Sequence, residues 1–343
     1  MPRHNFAALE GRLERISVDA PSLRDNALGD PSQREVAVYL PATALNADRP
    51  LPLLVGLAAY TGSGLKLMNW ESFGESMPQR IDRLTREGKL APAVYAFPDA
   101  FTSLGGNQYV DSPILGNWSQ FLRGDLVDAL TGRFPVDPSP RRRGLFGHSS
   151  GGYGAWMQAL THAEAWGAIA AHSADMGFEL LYRSDLPKAL RALAPHDGRI
   201  PDFLAALEAS ARMRGDDFYA LMMVAMAASY DPRTPYPEAL RLPVDLHTCE
   251  LDVEAWSRWC RFDPLVALDA PGALDGLRSL RGLYFDCGSR DEYNLQFGAR
   301  RMQRRLEAAD IAHVYEEFPD GHSKVAYRYD RSLPWLVETL NGD

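Results

Sequence analysis

The stretch Gly144-Leu-Phe-Gly-His-Ser-Ser-Gly-Gly-Tyr-Gly-Ala-Trp-Met-Gln-Ala-Leu160 decides the fold. A short apolar run predicts a buried strand, and the residues from Gly151 onward can open a helix. Between them Gly147-His148-Ser149-Ser150-Gly151 matches G-x-S-x-G. With this content of Gly and Ser the bare pattern arises by chance in roughly one chain in seven, so context must decide. A sharp strand-to-helix turn forces its middle residue into strained backbone and needs small neighbours to avoid a clash. The same turn lifts the Ser149 hydroxyl clear of a sheet at a helix N-terminus, which makes Ser149 a candidate nucleophile.

Outward from this turn, apolar runs alternate with helical patterns, the signature of a mostly parallel central sheet flanked by helices. Arg34–Leu40 alternates polar and apolar, as a half-buried strand does. Leu51–Tyr60 and Ala93–Phe97 are nearly all apolar, as expected of strands covered on both faces. A helix is predicted where Leu122, Leu126 and Leu130 fall four apart. Gly167–His172, Leu283–Cys287 and His313–Phe318 read as further strands, with helices around Met302–Ala309 and Leu333–Leu340. The strand pattern stops between about 175 and 269, where Leu186–Tyr230 predicts two or more helices. We read this as a helical insertion over one end of the sheet within a single domain spanning 1–343. Its methionines Met222, Met223 and Met226 read first as core packing and second as an adaptable pocket wall.

Composition narrows the function. The 343 residues are 46% hydrophobic, enough for a sizeable core. Lys and Arg total 36 against 45 Asp and Glu, a formal charge of -9 that repels phosphate backbones and anionic lipid. The basic runs at Arg141–Arg143 and Arg300–Arg305 read as solvated faces. Neither nucleic acid nor membrane is expected as a partner. Met1–Glu10 is broken early by charge and makes no secretory apolar region, and no stretch approaches the length needed to span a bilayer. Cys249, Cys260 and Cys287 form no CxxC pair, so neither a disulfide framework nor a structural zinc site is expected. A cytoplasmic location fits best. No metal and no cofactor is predicted; Gly62-Ser-Gly64 lacks the rest of a phosphate loop, and no G-x-G-x-x-G follows a strand.

A serine hydroxyl needs a base to take its proton. His322, in the turn Phe318-Pro-Asp-Gly-His-Ser323 after the last strand, is the candidate, whereas His313 sits inside a strand and reads as structural. The base needs a carboxylate to fix its tautomer. Asp291, in Gly288-Ser-Arg-Asp-Glu-Tyr-Asn294, stands where that acid belongs; Glu292 beside it and Asp286 within the strand are the other options. An oxyanion hole needs two backbone N–H groups. Ser150 supplies one, and Tyr60, ahead of Ala59 and Thr61, supplies the other from the loop leaving the first buried strand. Gln108 and Tyr109 stand just past a strand end, where they either bind substrate or, our preferred reading, brace the Ser149 turn. Trp118, Trp256 and Trp259 are candidate pocket walls, though each reads individually as packing.

The order of these pieces resembles the putative-esterase family of α/β hydrolases, which includes enterochelin-esterase-like proteins, S-formylglutathione hydrolases and feruloyl or acetylxylan esterases. The resemblance runs from about residue 11 to 340. It is carried most specifically by Phe97-Pro-Asp-Ala-Phe-Thr-Ser-Leu-Gly-Gly-Asn-Gln-Tyr109, Asp111-Ser112, Gly147–Gly152 and Pro319-Asp-Gly-His322. It implies the α/β-hydrolase fold and a triad of Ser149, Asp291 and His322. Many relatives carry His-Gly where this chain has Ala58-Ala59.

The expected function is therefore cleavage of a small-molecule carboxylic ester through an acyl-enzyme. Acyl transfer by the same triad and a non-catalytic binding role on the same fold are the alternatives. The acyl and alcohol groups are not fixed by the sequence, nor is the oligomeric state, a homodimer being one option.

Overall fold

The computed structural model describes residues 3–342. Eight strands form one sheet: β1 (Arg12–Asp19), β2 (Gln33–Leu40), β3 (Leu53–Leu57), β4 (Val94–Pro98), β5 (Arg143–His148), β6 (Ala168–His172), β7 (Gly282–Gly288) and β8 (Val314–Phe318). Their order across the sheet is β1-β2-β4-β3-β5-β6-β7-β8. β2 pairs antiparallel with β1 and β4, and every other pairing in the sheet is parallel. The fold is an α/β hydrolase. β5, the strand before Ser149, lies between β3 and β6 near the middle of the sheet, so its C-terminal end faces a crevice at which loops from both sides converge.

Alternation within the strands explains how both faces are covered. Leu54, Tyr95, Phe97 and Phe146 point to one face, where α1 (Met77–Arg86) supplies Met77, Ile81 and Leu84. On the same face the last helix, α8 (Tyr329–Asn341), supplies Leu333, Leu336, Val337 and Leu340. Leu53, Val55, Leu145 and Ile169 point to the other face and meet Trp156 and Ala159 of α2 (Ser150–Thr161). Burying each such aliphatic side chain stabilises the fold by about 1.5–3 kcal/mol. The helix α1 begins as its sequence directs: Ser76 Oγ accepts from Gln79 N–H, and the Gln79 side chain accepts from Ser76 N–H.

Two sequence-level expectations are refined. The helix predicted from Leu122, Leu126 and Leu130 is two short helices, Trp118–Arg123 and Asp125–Thr131, broken at Gly124. The three leucines still face one core because the break preserves their side. Between β6 and β7 the chain is helical, with α3 (Leu186–Leu193), α4 (Ile200–Glu208), α5 (Asp217–Tyr230) and α6 (Val253–Cys260). Helix α5 is buried almost from end to end, and α7 (Leu295–Ala308) follows β7. Among the described residues no helix is long and apolar enough to cross a membrane.

Candidate active site

At the turn from β5 into α2, Ser149 has φ 56° and ψ −126°, a conformation that L-residues rarely adopt. Such strain costs about 1–3 kcal/mol and persists only where the surroundings fix it. Here Ser149 N–H donates to the His172 carbonyl at 2.9 Å, and the Ser149 carbonyl accepts from Tyr153 N–H at 2.8 Å. The flanking glycines are a steric requirement. A Cβ on Gly147 would stand 2.5 Å from the Gly151 carbonyl carbon, and one on Gly151 would overlap the Leu57 carbonyl of β3. The turn is thus wedged against the neighbouring strand, and the serine hydroxyl emerges at the positive end of α2.

The loops after β7 and β8 are stitched together and carry the other two groups. Ser289 N–H donates to the Phe318 carbonyl and Arg290 N–H to the Asp320 carbonyl, at 2.8 and 3.0 Å. That places His322 Nε2 3.0 Å from Ser149 Oγ and His322 Nδ1 2.8 Å from Asp291 Oδ2. The second carboxylate oxygen of Asp291 accepts from Tyr293 N–H at 2.9 Å. With Nδ1–H donated to Asp291, Nε2 is left as the acceptor that faces the serine.

The other two carboxylates offered by the sequence are committed elsewhere. Glu292 accepts from the backbone N–H of His322 at 2.7 Å, a bond that holds its carboxyl below the usual range. Asp286 faces the opposite side of the sheet, where it binds His172 Nδ1 at 2.7 Å and Arg328 Nε at 2.8 Å. Burial would raise Asp286, but His172 and Arg328 outweigh it and lower the carboxyl. His313 lies beside β8 with Nδ1 on the Ile311 carbonyl, away from the serine.

A cavity of about 210 Å³ opens at Ser149, lined by Ala59, Tyr60, Ser150, Leu181, Phe218, Met222, Met226 and His322 among others. Two of the three methionines singled out in the sequence therefore form pocket wall as well as core, while Met223 is wholly buried. A wider polar recess of about 500 Å³ adjoins it at Tyr293 and includes Asp185, Lys188 and Glu292. Ser149, the candidate nucleophile, faces the smaller of the two.

Around the candidate oxyanion position, Thr61 N–H is taken by the Gly105 carbonyl at 2.7 Å. No acceptor among the described residues meets the N–H of Ala59, Tyr60 or Ser150. The Tyr60 side chain ties its loop down by donating to the Leu104 carbonyl at 2.8 Å.

Gln108, Tyr109 and Trp118 are not on the cavity wall. Gln108 is fully buried and donates to Ser150 Oγ at 2.8 Å. Tyr109 donates its hydroxyl to the Ala58 carbonyl at 2.7 Å. These two bonds tie the side chains to the Ser149 turn and to the end of β3. Trp118 is buried with Nε1 on the Leu115 carbonyl, because its large apolar body fills the core beside Phe121. Trp256 and Trp259 are buried as well, Trp259 standing behind Tyr182 and Tyr230.

Sequence reasoning missed two groups. His148 donates from Nε2 to the His322 carbonyl at 2.9 Å, and its ring lies 4.5 Å from that of His322. Burial and the neighbouring His322 hold it down to about 3, so it stays neutral. Asp175, just past β6, lines the cavity with a carboxylate oxygen 3.5 Å from Ser149 Oγ. Its only sequence signal was its place at a strand's C-terminal end. Among the described residues no three His, Cys, Asp or Glu side chains cluster as metal ligands.

A family model described as "Putative esterase" matches residues 31–334. No curated protein matches the sequence of this chain. Among solved structures, a ferulic acid esterase superposes with a TM-score of 0.62 at 14% identity, over 97% of this chain and all of that one. An S-formylglutathione hydrolase from Agrobacterium tumefaciens gives 0.58 at 17% identity, over 99% of this chain and 100% of that one. The fluorophosphonate-binding serine hydrolase F of Staphylococcus aureus gives 0.58 at 15% identity, over 95% of this chain and 98% of that one. At these identities the structural likeness speaks to the fold.

Proposed function

The chain belongs to the putative esterase family, the carboxylic ester hydrolases, and from that premise we propose that Ser149, His322 and Asp291 form its catalytic triad. His322 Nε2 takes the Ser149 proton as Oγ bonds to the ester carbonyl carbon. Asp291 keeps the imidazole in the productive tautomer and stabilises the imidazolium. The negative oxygen is received by Ser150 N–H and Tyr60 N–H, with Ala59 N–H as the neighbouring donor. The imidazolium then passes its proton to the departing alkoxide as the carbon–oxygen bond breaks, which leaves an acyl-enzyme and a free alcohol. Water, deprotonated by His322, repeats the sequence and releases the acid.

The observation that carries this reading is the unbroken Ser149–His322–Asp291 relay, with bonds of 3.0 and 2.8 Å, opening on a cavity. A cavity of about 210 Å³ lies below the roughly 300–1,000 Å³ typical of drug-sized ligands, which supports a short acyl group. The free cysteines support a reducing, cytoplasmic setting. Hydrolysis of p-nitrophenyl acetate, butyrate and octanoate tests the proposal. The two short esters are cleaved in preference to octanoate, and Ser149→Ala loses at least about a thousandfold in kcat. Turnover by Ser149→Ala equal to that of the unmodified protein would refute it.

A further inference from the structure

The cavity at Ser149 contains a carboxylate that hydrolysis of a plain alkyl ester does not use. Asp175 is only 6% exposed and lines the cavity beside the nucleophile. Its Oδ2 lies 3.2 Å from the Tyr182 hydroxyl and 3.5 Å from Ser150 Oγ. Ser150 Oγ already accepts from Gln108, so its own proton is free for Asp175. Tyr230 stands behind Tyr182, hydroxyl to hydroxyl at 3.2 Å, and fixes the direction of that donor. Oδ2 is thus satisfied by two hydroxyls.

Oδ1 is different. Among the described residues its one hydrogen-bond partner is Ser149 Oγ at 3.5 Å, and the single proton of that hydroxyl belongs to His322 Nε2 at 3.0 Å. Once the serine is poised to react, Oδ1 has no donor. Nor does Asp175 have an ion-pair partner within 4.0 Å among the described residues. Such a buried, unpaired anion is unfavourable unless a ligand brings the missing cation. Burial pushes the carboxyl up to about 6, against the opposing pull of the neighbouring His322 and of the Tyr182 hydroxyl.

We propose that Asp175 selects esters whose acyl group carries a protonated amine one or two carbons from the carbonyl, the carboxylate pairing with that ammonium. The acyl carbon sits one bond from Ser149 Oγ, so a substituent on the next carbon, or the one after, reaches an oxygen 3.5 Å from that Oγ. Leu181, Phe218, Met222 and Met226 also line the cavity and suit a short apolar side chain. The substrate class is a small aminoacyl ester. The ammonium keeps its protons throughout, and the bonds made and broken are those of the esterase sequence above. This inference rests on that esterase reading and names the substrate of the same site.

The test compares ethyl 2-aminobutanoate with its uncharged shape match, ethyl 2-methylbutanoate, in the unmodified protein and in Asp175→Asn. An α-ammonium activates an ester chemically, so the readout is the ratio of the two kcat/KM values. That ratio falls about tenfold or more in Asp175→Asn, the cost of removing one partner of a buried charge pair. A ratio equal in both proteins overturns the inference. A second measurement needs no variant: sec-butylammonium inhibits p-nitrophenyl acetate hydrolysis at least about tenfold more strongly than 2-butanol, whereas equal inhibition overturns the inference. Failure of the unmodified protein to hydrolyse even p-nitrophenyl acetate would instead strike the esterase reading and carry this inference down with it.

Discussion

Asp291 holds His322 by its ring, with Oδ2 2.8 Å from Nδ1, while the adjacent carboxylate, Glu292, holds the same residue by its backbone N–H at 2.7 Å. Two neighbouring acids thus grip one histidine in different ways, and only one of them acts on the imidazole tautomer. Asp291→Asn should lower kcat for a p-nitrophenyl ester by about 10³–10⁴, because an amide in that place favours the wrong ring tautomer. Glu292→Gln should cost less than about tenfold, since an amide oxygen can still accept from the backbone. Steady-state kinetics on the two variants checks the division. Equal losses would show that the carboxylates share the task.

The elbow makes a steric prediction. Gly151→Ala pushes a methyl group into the Leu57 carbonyl of β3, and because the neighbour is strand backbone rather than a flexible side chain it cannot step aside. The variant should lose several kcal/mol of stability, in the upper range for single substitutions, with the urea midpoint falling accordingly. An unchanged midpoint would mean that the turn is less tightly wedged than described.

On the opposite face of the sheet a second Ser–His–Asp series occurs. Ser332 Oγ lies 2.8 Å from His172 Nε2, and His172 Nδ1 lies 2.7 Å from Asp286. All three side chains are buried, with exposures of 0%, 1% and 1%, so no ester can reach Ser332. Ser332→Ala should leave kcat/KM within about twofold while lowering stability by about 1–3 kcal/mol, the cost of an unpaired buried nitrogen. Kinetics and chemical denaturation on one preparation separate the two effects.

Asp175 also sets a pH dependence. Its carboxyl titrates near 6 in the folded chain against an ordinary 3.8, chiefly because burial disfavours the charge. Between those values the folded state holds a proton that the unfolded state has lost, so stability falls as pH rises through the window. Asp175→Asn removes that penalty. Relative to the unmodified protein, it should gain up to about 3 kcal/mol at pH 8, with the gain gone by about pH 3.5. Denaturation curves at the two pH values check the sign. A variant less stable at pH 8 than at pH 3.5, relative to the parent, would contradict it.

What the sequence made legible follows from how local each signal is. The elbow, the buried strands and the turn holding His322 announce themselves through glycine placement and apolar runs, and the structure forms each of them near the predicted bounds. Strand β1 was missed because its burial alternates only toward Val18, with an exposed first half. The choice among Asp286, Asp291 and Glu292 depends on which side of β7 each leaves, a register that spacing alone leaves open. Asp175 was invisible for a related reason. Its importance comes from Ser149, Ser150 and Tyr182, and it lies 26 residues from the first of these. Trp118 stayed open between pocket wall and packing because a large aromatic beside the site and one in the core look alike in one dimension.

The central claim is that Ser149 alone among the serines is made nucleophilic by this relay. Intact-mass spectrometry after exposure to a fluorophosphonate tests it most directly. The account predicts a mass increase of one adduct on the unmodified protein, mapped to Ser149, and none on folded Ser149→Ala. A native protein that takes up no label, or a Ser149→Ala variant that labels as readily as its parent, would contradict it.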